Sequence, residues 1–341
     1  MSAITEHLAT SPRHASFYLA AGPLDGLPVI FVHGWPELSI SWRHQLPVLG
    51  GLGFRAIAPD MRGYGRSRVY GAQEDYAQEH IVADMIELAD SLGIEKALWV
   101  GHDWGSPVVW NIASHHPDRC IAVANLCVPY HSLEYGLDSV IPLVDRGVYP
   151  EATYPAGQWE YMRYYEENFA DATRSFDSHP YNVVKALFRK GDPAGQGKPS
   201  RTAEVRRNGG WFRGGVVPDV PRDADVVTEE DLRIYATALE RNGFFGPDAW
   251  YVNHTANAAY AARAVNGGYL DMPVLFIAAR YDYTCESVTS RLPEPMRKYC
   301  RDLSEGIIDS GHWMAQEKPV EVNRTLTHWL ATKVPGGWPS P

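Results

Sequence analysis

Apolar residues along this chain come in short continuous runs rather than in strict alternation with polar ones. Six runs stand out: L-P-V-I-F-V (27–32), F-R-A-I-A-P (54–59), K-A-L-W-V-G (96–101), I-A-V-A-N-L (121–126), P-V-L-F-I-A-A (273–279) and E-G-I-I-D (305–309). A strand that is apolar on both faces is covered on both faces, so these runs predict a parallel sheet flanked by helices. Helical spacing fills the gaps, as in I-V-A-D-M-I-E-L-A-D-S-L (81–92), which Gly93 ends. The alternation breaks after Pro129 and resumes at Met272. Between these points the chain is rich in Tyr, Trp and Arg, with helix-like patches and no run that reads as a buried strand. Within it, 190–227 is heavy in Gly, Pro and charge and reads as a long loop. The predicted organisation is an α/β core (1–130 and 266–341) split by a helical cap (131–265).

Composition narrows the function classes. The 45% hydrophobic and 21% charged residues are ordinary for a globular protein and argue against disorder. The formal net charge of -10, without a Lys/Arg cluster, makes nucleic acid or an anionic membrane a poor partner. The longest apolar runs are too short to span a bilayer, and M-S-A-I-T-E-H-L lacks the pattern of a secretory signal. Cys120, Cys127, Cys285 and Cys300 have no CxxC spacing and read as reduced thiols of a cytoplasmic protein. No G-x-G-x-x-G opens a helix and no Cys/His cluster has metal-ligand spacing, so no cofactor and no metal are expected. The oligomeric state is not legible.

The chemistry centres on W-V-G-H-D-W-G-S (99–106), where Asp103 sits between Gly101 and Gly105 at a strand-to-helix junction. Two readings compete for such an Asp: a helix cap, or the nucleophile of an elbow whose flanking glycines permit a sharp turn. An elbow nucleophile needs an acid and a histidine later in the chain. Asp282 in R-Y-D-Y and His312 in S-G-H-W-M both follow predicted strands, and the carboxyl ends of parallel strands are where such groups gather. The loop after 121–126, A-N-L-C-V-P-Y, has no carboxylate, which favours Asp282 as the acid. In F-V-H-G-W-P-E (31–37) the backbone N–H of Trp35, with that of Trp104, is positioned to form an oxyanion hole. The tight turn there suits a cis bond before Pro36. His102 reads as support for the elbow, Asp60 and Arg62 as braces of a loop, and His115-His116 as a helix end.

A carboxylate is ionised at neutral pH and attacks an sp³ carbon directly, giving an alkyl ester that water must then cleave. Alkyl halides and epoxides both suit this route. An epoxide also benefits from an acid on its oxygen, a role open to tyrosine.

At this point the sequence resembles the α/β-hydrolase-fold epoxide hydrolases of the soluble type. The matching residues are H-G-W-P (33–36), D-M-R-G-Y-G-R-S (60–67), G-H-D-W-G (101–105) and G-H-W (311–313). The resemblance implies an α/β-hydrolase core with an inserted helical cap bearing two tyrosines that hold the epoxide oxygen. The first maps to Tyr161 in W-E-Y-M-R-Y-Y-E-E (159–167), with Tyr164 as a rival one turn on. The second maps to Tyr251 in G-F-F-G-P-D-A-W-Y-V-N (243–253). Ser106-Pro107 departs from the glycine pair expected after the elbow. Trp35, Trp104, Trp159 and Trp250 are expected to line an apolar pocket for a lipophilic epoxide and water. A haloalkane dehalogenase and a non-catalytic binding module of the same fold remain the alternatives.

Overall fold

The computed structural model describes residues 2–339. Its centre is an eight-stranded sheet: β1 (Thr5–Thr10), β2 (Ala15–Ala21), β3 (Leu27–Val32), β4 (Phe54–Pro59), β5 (Ala97–His102), β6 (Cys120–Leu126), β7 (Leu270–Ala279) and β8 (Cys300–Ile308). The strand order is β1-β2-β4-β3-β5-β6-β7-β8. β3 to β8 pair in parallel, while β1–β2 and β2–β4 are antiparallel. All six predicted strands are therefore present in a mostly parallel sheet. The antiparallel pair at one edge is an addition to the expected fold.

Central β5 is buried along its whole length, and β3 along its last four residues. This is the burial their continuous apolar runs imply. Helices such as Gln78–Ser91, Gly105–His115 and Pro319–Lys333 cover the faces. The chain between β6 and β7 contains helices and loops but no strand. Its main helices are Glu160–Asp177, Pro180–Leu187, Glu229–Asn242 and Phe245–Ala249. The segment 190–227 has only two short 3₁₀ turns, Pro193–Gly195 and Arg201–Glu204. It is nonetheless packed, with Val205, Val217, Val226 and Val227 buried. Among the described residues no helix is long and apolar enough to cross a membrane.

Candidate active site

Asp103 lies where β5 turns into the helix Gly105–His115, with φ of 50°. That left-handed backbone is uncommon for a non-glycine residue and marks a local strain. The turn is closed by the Ser106 N–H donating to the Asp103 carbonyl at 2.9 Å. Gly105 is required by close approach, because a Cβ there would come within 2.1 Å of the Val32 carbonyl oxygen. Ser106 is accommodated, its hydroxyl donating to the Leu126 carbonyl at 3.1 Å.

The Asp103 side chain does not cap the helix, whose first turn has no side-chain cap. Instead its Oδ1 accepts the backbone N–H of Trp35 at 2.7 Å. The Trp35–Pro36 bond is cis. Gly34 leaves room for this meeting, since a Cβ there would fall 2.4 Å from Asp103 Oδ1 and 2.6 Å from the Trp104 nitrogen. Of the two backbone nitrogens singled out from the sequence, that of Trp35 is bonded to the carboxylate.

Oδ2 of Asp103 faces His312 Nε2 at 3.3 Å, and His312 Nδ1 lies 2.7 Å from Asp282 Oδ2. A carboxylate only accepts, so Nδ1 carries a proton toward Asp282. Asp282 Oδ1 accepts the N–H groups of Thr284 and Cys285, each at 3.0 Å. Burial opposes charge on both His312 and Asp282. Their mutual attraction and hydrogen bonds outweigh it, so the imidazole is held well above its ordinary value and the carboxyl below.

Tyr161 and Tyr251 meet edge to face, ring centroids 5.6 Å apart, and line the same cavity as Asp103. Among the described residues no group hydrogen-bonds either hydroxyl. Burial, with smaller contributions from nearby groups including Asp103, pushes both phenols well above 10 and keeps them neutral. Tyr164 points elsewhere, its hydroxyl donating to the Gly209 carbonyl at 3.2 Å. A cavity of about 700 Å³ joins these groups; Trp35, Asp103, Tyr161, Trp211, Tyr251 and His312 are in its wall.

The tryptophan expectation needs correction. Trp35 lines the cavity, but Trp104, Trp159 and Trp250 do not. Trp104 and Trp250 each adjoin a cavity residue at a helix end, where the backbone changes direction and sends neighbouring side chains different ways. Trp250, beside Tyr251, packs on Tyr64 and donates to the Arg62 carbonyl. Trp104 meets the Tyr251 ring edge to face, centroids 5.1 Å apart. Besides Trp313, which follows His312, the cavity wall holds Trp211, stacked on Trp35 at 6.0 Å. It comes from the loop 190–227, where no periodicity marked it.

Two buried supports also had no clear sequence signal. Asp248 accepts the Trp35 indole N–H at 3.0 Å and the Thr173 hydroxyl at 3.1 Å. Glu37 Oε2 accepts the Gly34 N–H at 3.1 Å and pairs with His102 Nδ1 at 2.7 Å. His102 Nε2 lies 2.8 Å from the His312 carbonyl. Both partners of His102 are acceptors, so the ring carries two protons and a positive charge. His102 supports the elbow, as expected, and ties it to the His312 loop.

A mostly parallel sheet, a carboxylate on a sharp strand-to-helix turn and a histidine–aspartate pair at later strand ends define a hydrolase-type α/β core. The chain belongs to the α/β-hydrolase fold family, whose model matches residues 28–319. It is 33% identical to epoxide hydrolase A of Mycobacterium tuberculosis, over 97% of this chain and 98% of that protein. It is 32% identical to the bifunctional epoxide hydrolase 2 of Sus scrofa over 90% of this chain but only 52% of that one, so it spans about half the length of such mammalian relatives. Among solved structures, epoxide hydrolase A from Mycobacterium thermoresistibile superposes with a TM-score of 0.80 at 30% identity, covering 97% of this chain and 99% of that one.

Proposed function

We propose that the chain is an epoxide hydrolase that turns a lipophilic epoxide and water into a vicinal diol through an ester on Asp103. The observation that carries this reading is the convergence on one cavity of an elbow carboxylate, a histidine–aspartate pair and two unengaged phenols. Oδ1 of Asp103 is held by the Trp35 N–H, so the lone pair on Oδ2 attacks the epoxide carbon. The carbon–oxygen bond breaks, and its electrons go to the ring oxygen, which takes a proton from Tyr161 or Tyr251. His312 then removes a proton from water, and the hydroxide adds to Cγ of Asp103. Charge collects on Oδ1, beside the Trp35 N–H. Collapse expels the diol oxygen, which takes the proton from His312. The new Asp103 carboxyl returns a proton to the tyrosinate, and the site is restored.

Residues 131–265 form the cap in this reading: they supply both phenols, and Trp211 with Trp35 gives the apolar wall that selects lipophilic substrates. Conversion of such electrophiles to diols suits a detoxifying role, and four free thiols suit the cytoplasm. The dehalogenase reading is less favoured because it leaves the two unengaged phenols of Tyr161 and Tyr251 in the cavity wall without a role. Purified protein given styrene oxide is expected to form diol, with none from Asp103→Ala. Halide release from a bromoalkane without any diol would reverse the assignment, and activity from neither would leave the binding-module reading.

A further inference from the structure

Cys285 has no part in the reaction above, yet it stands beside the reacting atoms. The ligand atoms of Asp103, Cys285 and His312 all lie within 4.8 Å of one another. The three residues come from three strand ends: the elbow after β5, the loop after β7 and the loop after β8. We propose that this cluster is an inhibitory site for a thiophilic divalent cation such as Zn²⁺ or Cd²⁺, held by Asp103 Oδ2, the Cys285 sulfur and His312 Nε2.

The donor set of carboxylate, thiolate and imidazole is one that zinc accepts in tetrahedral geometry. Bonds near 2.1 Å at a tetrahedral angle put oxygen and nitrogen ligands about 3.4 Å apart. His312 Nε2 and Asp103 Oδ2 are 3.3 Å apart already. His312 presents only Nε2, because Nδ1 is bound to Asp282. The other oxygen of Asp282 holds the Cys285 backbone N–H at 3.0 Å. One buried carboxylate therefore orients two of the three ligands, the kind of outer support that metal-bound imidazoles use.

A second cluster, His102, Cys127 and His312, has similar spacing. It offers no such site, because both nitrogens of His102 are engaged by Glu37 and the His312 carbonyl. Burial keeps Cys285 a neutral thiol in the resting site. Binding releases the thiol proton and any proton on His312 Nε2 to water, with no change of oxidation state. Asp103 and His312 line the cavity, as does Thr284 next to Cys285, so a cation entering it meets two of the three ligands. A water completes the fourth position. The bound ion then occupies both the attacking oxygen and the base; this inhibitory consequence rests on the proposed reaction, whereas binding does not.

Two readouts test the site. Titration of metal-free protein with Cd²⁺ is expected to give a thiolate-to-cadmium charge-transfer absorption that saturates at one ion per chain. The band should vanish in Cys285→Ala and in Cys285→Ser, persist in Cys120→Ala, and need a higher Cd²⁺ concentration in Asp103→Asn. Circular dichroism of each variant confirms folding. In the second readout, Zn²⁺ should inhibit diol formation reversibly by chelator. Its half-inhibitory concentration should rise at least about tenfold in Cys285→Ala, with each rate taken relative to the same variant without metal. A tenfold change is the scale seen when even an outer partner of a metal site is removed. A folded wild type without the band overturns the proposal, as does equal zinc sensitivity with and without Cys285. If no epoxide is turned over, the cadmium titration still decides the site, so the two readings fail separately.

Discussion

Across the 3.3 Å between Asp103 Oδ2 and His312 Nε2, the state of one residue sets the chemistry of the other. In the resting site burial works against an imidazolium, but Asp282 and Asp103 outweigh it and raise the His312 value. Alkylation neutralises Asp103 and removes one of those two carboxylates. His312 then falls toward its ordinary range and becomes a base just when water must be activated. Hydrolysis of the ester should therefore slow as pH drops through the lowered His312 value, while alkylation does not require neutral His312. His312→Gln should still be alkylated, and steady-state turnover should drop by about 10²–10⁴-fold. Intact mass spectrometry of the quenched variant should find protein heavier by one substrate; unmodified protein alone would contradict the two-step route. The phenols act on the other step. Tyr161→Phe combined with Tyr251→Phe should slow ring opening by about 10²–10⁴-fold in single-turnover measurements. Tyr164→Phe should change nothing, because its hydroxyl serves Gly209.

The elbow is an element-scale device, and its weak point is Gly105. A methyl group there would meet the Val32 carbonyl oxygen at 2.1 Å, and that oxygen belongs to a central strand that cannot retreat. Alanine is the better helix former by about 1 kcal/mol. Overpacking a close contact costs about 1–3 kcal/mol or more, so Gly105→Ala should be destabilised on balance. Urea denaturation measures this, and an unchanged midpoint would mean that the strand and helix are not held at this distance. The elbow was legible because its glycines sit between a buried strand and a helix pattern. The same holds for β3 to β7, whose both-sided burial writes continuous apolar runs. β1 was not legible: T-E-H-L-A-T lies at an edge, exposed or half-exposed throughout, and carries no core signal. Most of β8 escaped for the same reason, since Arg301 and Asp302 face solvent near its start. Trp211 was hidden differently. An isolated Trp-Phe pair in a glycine-rich loop has no period, and only the fold brings Trp211 to Trp35. Asp248 and Glu37 read as ordinary acids until their burial is known.

At the scale of the molecule, the Glu37–His102 pair holds three strand ends together. Glu37 follows β3 and binds the Gly34 N–H; His102 ends β5; and its second nitrogen holds the His312 carbonyl beyond β8. Gln316 completes the set by donating to Glu37 Oε1 at 2.9 Å. Burial pushes the Glu37 carboxyl up, but the His102 charge and hydrogen bonds carry it down to about 2. His102 is correspondingly raised well above 6.5 against the same burial. The signs follow from linkage. Glu37 contributes stability that is complete above its ordinary 4.5 and is lost as pH falls from there toward 2. His102 contributes stability that is complete below 6.5 and is lost as pH rises through its folded value. The pair therefore supports the fold most between about pH 4.5 and 6.5. Removing one partner of a buried pair leaves the other charged and alone, which costs about 3–5 kcal/mol. Glu37→Gln should show a loss of that order by denaturant unfolding at pH 6, with a smaller deficit at pH 3, where the wild type has itself begun to lose the interaction. Because His102 also holds the His312 backbone, ester hydrolysis in this variant should slow more than alkylation. A deficit that stays constant from pH 6 to pH 3 would mean that Glu37 supports the site through packing rather than through its charge.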